Sequence, residues 1–121
     1  MRELRIIVAT ADAERLRGAL VLASAQAALG GAASIFLQLD AVGLLKPPVT
    51  GPRDTAHEAA GLPMLGALMD EAMTLGVGIR ACQSGLALAG LTADALPTGI
   101  EASGPVSFLQ ETSDEARLLF A

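Results

Sequence analysis

Apolar positions alternate along this chain between short β-branched runs and longer stretches at helical spacing. Leu4 to Thr10 (LRIIVAT) is apolar and β-branched and ends at Ala11-Asp12, which reads as a buried strand followed by a helix cap. Asp12 predicts a helix from Ala13 that ends at Gly30, a glycine just past the last apolar residue. Ala33 to Leu39 (ASIFLQL) predicts a second strand, apolar enough to be covered on both sides, and so a βαβ unit. Asp40 to Leu62 carries Gly43, Pro47, Pro48, Gly51, Pro52 and Gly61, and reads as a long excursion with one helical turn near Val42 to Leu45. It leaves a strand's carboxyl end, the edge where α/β sheets place their sites.

The second half repeats the rhythm in shorter pieces. Pro63 fits the first turn of a helix to about Leu75, with Leu65, Leu68, Met69, Ala72 and Met73 as its apolar stripe and Gly76 as its stop. Val77 to Ala81 predicts a third strand, with Cys82 at its last position or just beyond, and a helix over Gln83 to Ala89 opens at once. A helical turn over Thr92 to Leu96, a brief strand over Gly99 to Ala102, a helix over Pro105 to Thr112 and a strand over Arg117 to Phe120 complete the chain.

Composition narrows the possible functions. A length of 121 residues suits one domain with a real core. Only 17% of residues are charged, against roughly 25% in an average soluble protein, so part of the surface is expected to be buried between subunits. A net charge of -5 repels phosphate backbones and speaks against nucleic acid as a partner. With no Trp or Tyr and three Phe, platforms for bases, flavins or nicotinamides are nearly missing, and neither the Ala9 to Asp12 loop nor Thr50 to Arg53 forms a glycine-rich phosphate cradle, so no cofactor is expected. One Cys and one His make neither an internal disulfide nor a four-ligand zinc site, which points to a metal-free protein in a reducing, cytoplasmic setting. Gly18 to Leu39 is uncharged and long enough to span a bilayer. Its Ser24, Gln26, Gly30-Gly31 and Ser34 fit a helix stop and a following strand instead, so no membrane span is expected.

The chemistry that remains centres on Cys82. The thiolate is the nucleophilic form of cysteine, and backbone N–H groups at a helix's amino end favour it. Cys82 has that placement, and Arg80, two residues back on the same side of the strand, offers a positive charge. Gly78 and Gly85 are expected to leave room for a partner. The competing reading is a small buried hydrophobe, the commonest role of free cysteine. Gln83, Ser84 and Gly85, with Arg80, Thr10 and His57, form the candidate substrate-binding set. His57 in the Pro-Gly loop is expected either to fold over Cys82 as a proton acceptor or to be a solvated polar residue. Thr10 and Asp12 sit at the same sheet edge, and helix capping is the simpler role for the pair. Glu101 reads as a solvent-facing strand residue, and Asp70-Glu71 as a polar helix face.

The order LRIIVAT, a long helix ending in Gly-Gly, ASIFLQLDAVGLLKP, a Pro-Gly loop, GVGIRACQSGLALAGL, GIEASGP and a closing LLF resembles the DsrE/DsrF-like family of small sulfur-relay proteins. The resemblance spans essentially the whole chain and is most specific in GVGIRACQSGLALAGL and GIEASG, whereas Asp40-Ala41-Val42-Gly43 departs from the family's Asp-Gly-Val order. It implies a three-layer α/β/α sandwich with a mainly parallel five-stranded sheet, assembled as trimers or hexamers. It also implies that Cys82 aligns with the cysteine that carries a persulfide, exchanging sulfur with donor and acceptor proteins. The family includes subunits that serve only as structural partners, so a non-catalytic assembly subunit or small-ligand-binding module stands as the alternative. A single cysteine cannot resolve bound sulfur into an internal disulfide, which favours a carrier over a dithiol oxidoreductase.

Overall fold

The computed structural model describes residues 1–121 as one five-stranded sheet with helices on both faces. The first strand, β1, is Leu4–Val8, and all five of its residues are buried. Asp12 starts helix α1 (Ala13–Ala28): its Oδ1 accepts from the backbone N–H groups of Glu14 at 2.9 Å and Arg15 at 3.4 Å. The left-handed backbone of Gly30, φ +87°, turns the chain into β2 (Ala33–Leu37). No helix is long and apolar enough to cross a membrane, because the uncharged stretch from Gly18 to Leu39 is divided between α1, this turn and β2.

A 3-10 segment, Leu39–Leu45, then leads to a short helix α2 (Asp54–Ala59) and to α3 (Leu65–Thr74). Two expectations are corrected here. The excursion after β2 holds a helix that no apolar stripe announced, since α2 buries none of its residues. Pro63 lies before α3, which Met64 caps, and its carbonyl accepts from Arg17 Nη1 at 2.9 Å. Strand β3 (Gly78–Cys82) passes directly into α4 (Gln83–Ala89). A 3-10 turn at Ala93–Ala95, β4 (Glu101–Ser103), α5 (Pro105–Gln110) and β5 (Arg117–Phe120) follow.

The strand order is β4-β3-β2-β1-β5, parallel throughout. Parallel crossovers are right-handed almost without exception, so the steps β1 to β2, β2 to β3 and β3 to β4, all in one direction, put their helices on one face. The return from β4 to β5 runs the other way and puts α5 alone on the opposite face. Packing agrees. Leu16, Leu20 and Ala23 of α1, Leu65, Leu68 and Met69 of α3, and Leu86 of α4 join Leu4, Ile6, Val8, Ile35, Leu37, Ile79 and Ala81 in the main core. On the far face Ile7, Phe36 and Cys82 meet Phe108 of α5 in a separate small cluster.

Candidate functional site

Because alternate residues of a strand face opposite sides, Cys82 and Arg80 share the α5 face while Ile79 and Ala81 enter the main core. Cys82 is both the last residue of β3 and the N-cap of α4, with extended backbone at φ -65° and ψ 133°. Its register partner on β4 is Ser103. Just beyond these two residues the chain diverges: α4 leaves β3 toward the main core, and α5, capped by Gly104, leaves β4 toward the other face. In open α/β sheets the crevice outside the strands' carboxyl ends, where consecutive connections depart to opposite faces, is the usual place for a site. Cys82 stands at that switch point.

The thiol is covered in this arrangement. Cys82 is 6% exposed and packs with Ile7, Phe36 and Phe108. The rings of Phe36 and Phe108 stack at 4.7 Å, 16° from parallel. Arg5, itself buried, places its guanidinium 4.5 Å from the Phe108 ring centre. It also donates from Nη1 to the Phe108 carbonyl and to Thr112 Oγ1, both at 2.8 Å. Arg80 is drawn into the same structure by its ion pair with Glu111. Its charge is therefore shared with a carboxylate just past α5 and is not reserved for the thiol.

The remaining candidate residues fall into different places. Gln83 and Ser84 are exposed in the first turn of α4. Gly85 is buried and leaves no room for a partner: a Cβ there would collide with Val42 and come within 3.0 Å of the Leu39 carbonyl oxygen. Its missing side chain is what lets α4 lie against the Leu39–Leu45 segment, and Leu39 itself takes a left-handed backbone, φ 55°. Thr10 lines an open cavity of about 490 Å³ with Asp12, Glu14, Pro52 and Arg53, none of which belongs to the Cys82 cluster. Asp12 is the cap of α1. Glu101 is exposed on β4 in register with Arg80.

His57 does not fold over Cys82. Its Nε2 lies 2.7 Å from Glu14 Oε1, on the α1 side of the sheet. There it belongs to a clamp centred on Arg17, whose side chain is 8% exposed and which donates to Glu14 at 2.8 Å, Asp54 at 2.6 Å and the Pro63 carbonyl at 2.9 Å. Asp54 also accepts from the N–H groups of Gly51 and Leu65, both at 2.9 Å. The Gly51 bond is the main cause that holds the Asp54 carboxyl below its ordinary range, with the Leu65 N–H and Arg17 adding to it against the opposing pull of burial. Glu14 is held low chiefly by its hydrogen bond to His57, then by Arg17. Burial disfavours the Arg17 charge, but its two carboxylate partners outweigh that and raise its pKa. This clamp fastens the excursion after β2 onto α1 and α3. No three His, Cys, Asp or Glu side chains converge as a metal-holding group.

Phe36, Ser103, Phe108 and Arg5 are the residues around Cys82 that the sequence did not point out. Phe36 and Arg5 were visible as strand positions of the right parity, but their approach to Cys82 depends on strand order. The helix beginning at Pro105 carried no signal of which face it would cover.

No family model and no curated protein matches the chain. Solved structures do match its fold. The ychN protein from E. coli superposes with a TM-score of 0.73 at 19% identity, covering 100% of both chains. Protein MTH1491 of unknown function from Methanobacterium thermoautotrophicum gives 0.72 at 14% identity, again over 100% of both. The conserved protein of unknown function BT1422 from Bacteroides thetaiotaomicron gives 0.71 at 17% identity, over 98% of this chain and 94% of that one. At these identities the likeness is one of fold: the chain has the parallel three-layer α/β/α architecture of these proteins.

Proposed function

We propose that this chain is a sulfur-relay protein of the DsrE/DsrF-like kind that carries a persulfide on Cys82. The observation that carries this reading is the position of the only cysteine at the switch point between β3 and β4, at the residue immediately before α4. In the first step the Cys82 thiolate attacks the outer sulfur of a donor persulfide. A Cys82–sulfur bond forms, the donor's S–S bond breaks, and the donor leaves as a thiolate. In the second step an acceptor thiolate attacks the outer sulfur of the Cys82 persulfide and releases the Cys82 thiolate. The two steps are redox-neutral and need no metal or second cysteine. Donor and acceptor are taken to be proteins.

The same reading includes assembly as a homotrimer or hexamer. It is supported by apolar side chains left open on the single chain along β5 and α1, among them Leu22, Leu118, Leu119 and Phe120, each at least 42% exposed. A monomer by light scattering at micromolar concentration would exclude that part. One observation favours the alternative of a non-catalytic subunit, namely the burial of Cys82 among apolar neighbours. Intact-mass analysis after incubation with a low-molecular-weight persulfide separates the two. A sulfur-relay protein gains one sulfur atom that a Cys82→Ser variant does not, whereas identical masses for the two proteins would remove the relay reading.

A further inference from the structure

We propose that α5 is a gate over Cys82, a local element that opens while the rest of the domain stays folded and sets how fast the thiol is reached. The gate deepens the relay reading, on which its biological use rests, but its operation is measurable without any sulfur transfer.

The argument starts from the asymmetry of the two faces. One face of the sheet is sealed by α1, α3 and α4 over a continuous core. On the other, the return crossover supplies a single helix of six residues with one buried side chain, Phe108, while Val106 and Leu109 are 68% and 60% exposed. Lifting α5 therefore unpacks one aromatic side chain, whereas reaching Cys82 from the opposite side would require dismantling the main core. Openings that release few buried contacts are the ones that occur below the global unfolding transition.

The fastenings of α5 are few and identifiable. Phe108 stacks on Phe36, and the Arg5 guanidinium lies over the same ring. Arg5 Nη1 donates to the Phe108 carbonyl and to Thr112 Oγ1, and Thr112 Oγ1 in turn donates to that carbonyl at 2.7 Å. These bonds satisfy an acceptor near the helix's carboxyl end, where a cation is also favoured. Glu111, just past α5, pairs with Arg80 and lies 3.9 Å from Arg5 Nη2, and being partly exposed it fastens weakly. Arg5 and Arg80 both project from the sheet into the α5 layer, so the strands that carry the thiol's neighbours also hold the gate shut. Cys82 and Phe108 share one small cluster, so the side chain that anchors α5 also covers the thiol.

The test is the rate of Cys82 alkylation by iodoacetamide in the native protein, followed by intact mass. For a gate, the rate stays nearly constant in urea well below the unfolding transition, because local opening exposes little surface. Phe108→Ala raises the rate by up to about tenfold, the scale set by loss of one aromatic pair contact. Leu109→Ala, on the exposed side of the same helix, leaves it unchanged. Glu111→Gln, which loosens the ion pairs with Arg80 and Arg5 and removes no apolar side chain, gives an increase of a few fold. The proposal is overturned if alkylation of the unmodified protein rises with urea in step with global unfolding, or if Phe108→Ala with a native circular dichroism spectrum labels no faster. Should Phe108→Ala fail to fold, the urea dependence of the unmodified protein and the Glu111→Gln rate decide the question. Fast, Phe108-dependent alkylation without persulfide loading would keep the gate and remove the relay; loading with Phe108-independent alkylation would do the reverse.

Discussion

Replacing Gly85 with alanine sets two well-known effects against each other, and the structure says which wins. Gly85 is the third residue of α4, where alanine is favoured over glycine by up to about 1 kcal/mol through helix propensity alone. Against this, the added Cβ meets Val42 head-on and approaches the Leu39 carbonyl oxygen to 3.0 Å. Val42 is fully buried, and the Leu39 contact is backbone, so neither can step aside freely. Overpacking of such a site costs typically about 1–3 kcal/mol, so Gly85→Ala is expected to lower stability by about 1 kcal/mol net. The assay is urea unfolding followed by far-ultraviolet circular dichroism. With a slope of about 1–3 kcal/mol per molar urea, the midpoint falls by roughly half a molar. Ala87→Gly, at an exposed position of the same helix, isolates the propensity effect, and Val42→Ala in the Gly85→Ala background should recover part of the loss in a double-mutant cycle. A Gly85→Ala protein more stable than the parent would refute the close approach of α4 to the Leu39–Leu45 segment, and with it the placement of the helix that Cys82 caps.

Other outcomes follow from the polar clamp. Asp54→Ala removes the acceptor of three hydrogen bonds and one partner of the buried Arg17, and should cost about 2–3 kcal/mol in urea unfolding; a change below about 0.5 kcal/mol would contradict the clamp. The Asp54 carboxyl is held below its ordinary range, so its stabilisation is fully present above the unfolded value, near 4, and is lost as pH falls through the lower folded value. The midpoint difference between the parent and Asp54→Ala should accordingly be flat from pH 7 to about 5 and shrink only in stronger acid, whereas shrinkage near neutrality would contradict that sign. His57→Gln is expected to leave alkylation of Cys82 unchanged, because His57 pairs with Glu14 on the α1 side of the sheet; a several-fold change in rate would place the histidine with the thiol after all.

Much of this architecture was legible where one residue decides one local event. Asp12 capping α1, Gly30 ending it, the bounds of α4 and those of β5 all lie where turn chemistry and apolar runs placed them. Strands β1 and β2 stop earlier than their apolar runs, at Val8 and Leu37, where the chain turns outward: Thr10 and Leu39 are exposed, and Leu39 enters the 3-10 segment with a left-handed backbone. Helix α2 escaped notice because it is fixed by Asp54 and His57 through polar contacts and buries no apolar stripe. Gly85 misled for a related reason: a glycine makes room, but the sequence does not say for what. The surroundings of Cys82 were the least legible part. Which residues share its face follows from strand parity, but Phe108 arrives only through the return crossover from β4 to β5, a long-range fact with no local signature.

The most direct test of the central claim is a two-stage transfer followed by intact mass. The protein is loaded from a persulfide donor, freed of that donor, and mixed with an acceptor thiol. The account predicts one added sulfur on the parent, none on Cys82→Ser, and its disappearance from Cys82 as the acceptor gains it. A parent protein that gains no sulfur, or gains the same amount as Cys82→Ser, would contradict it.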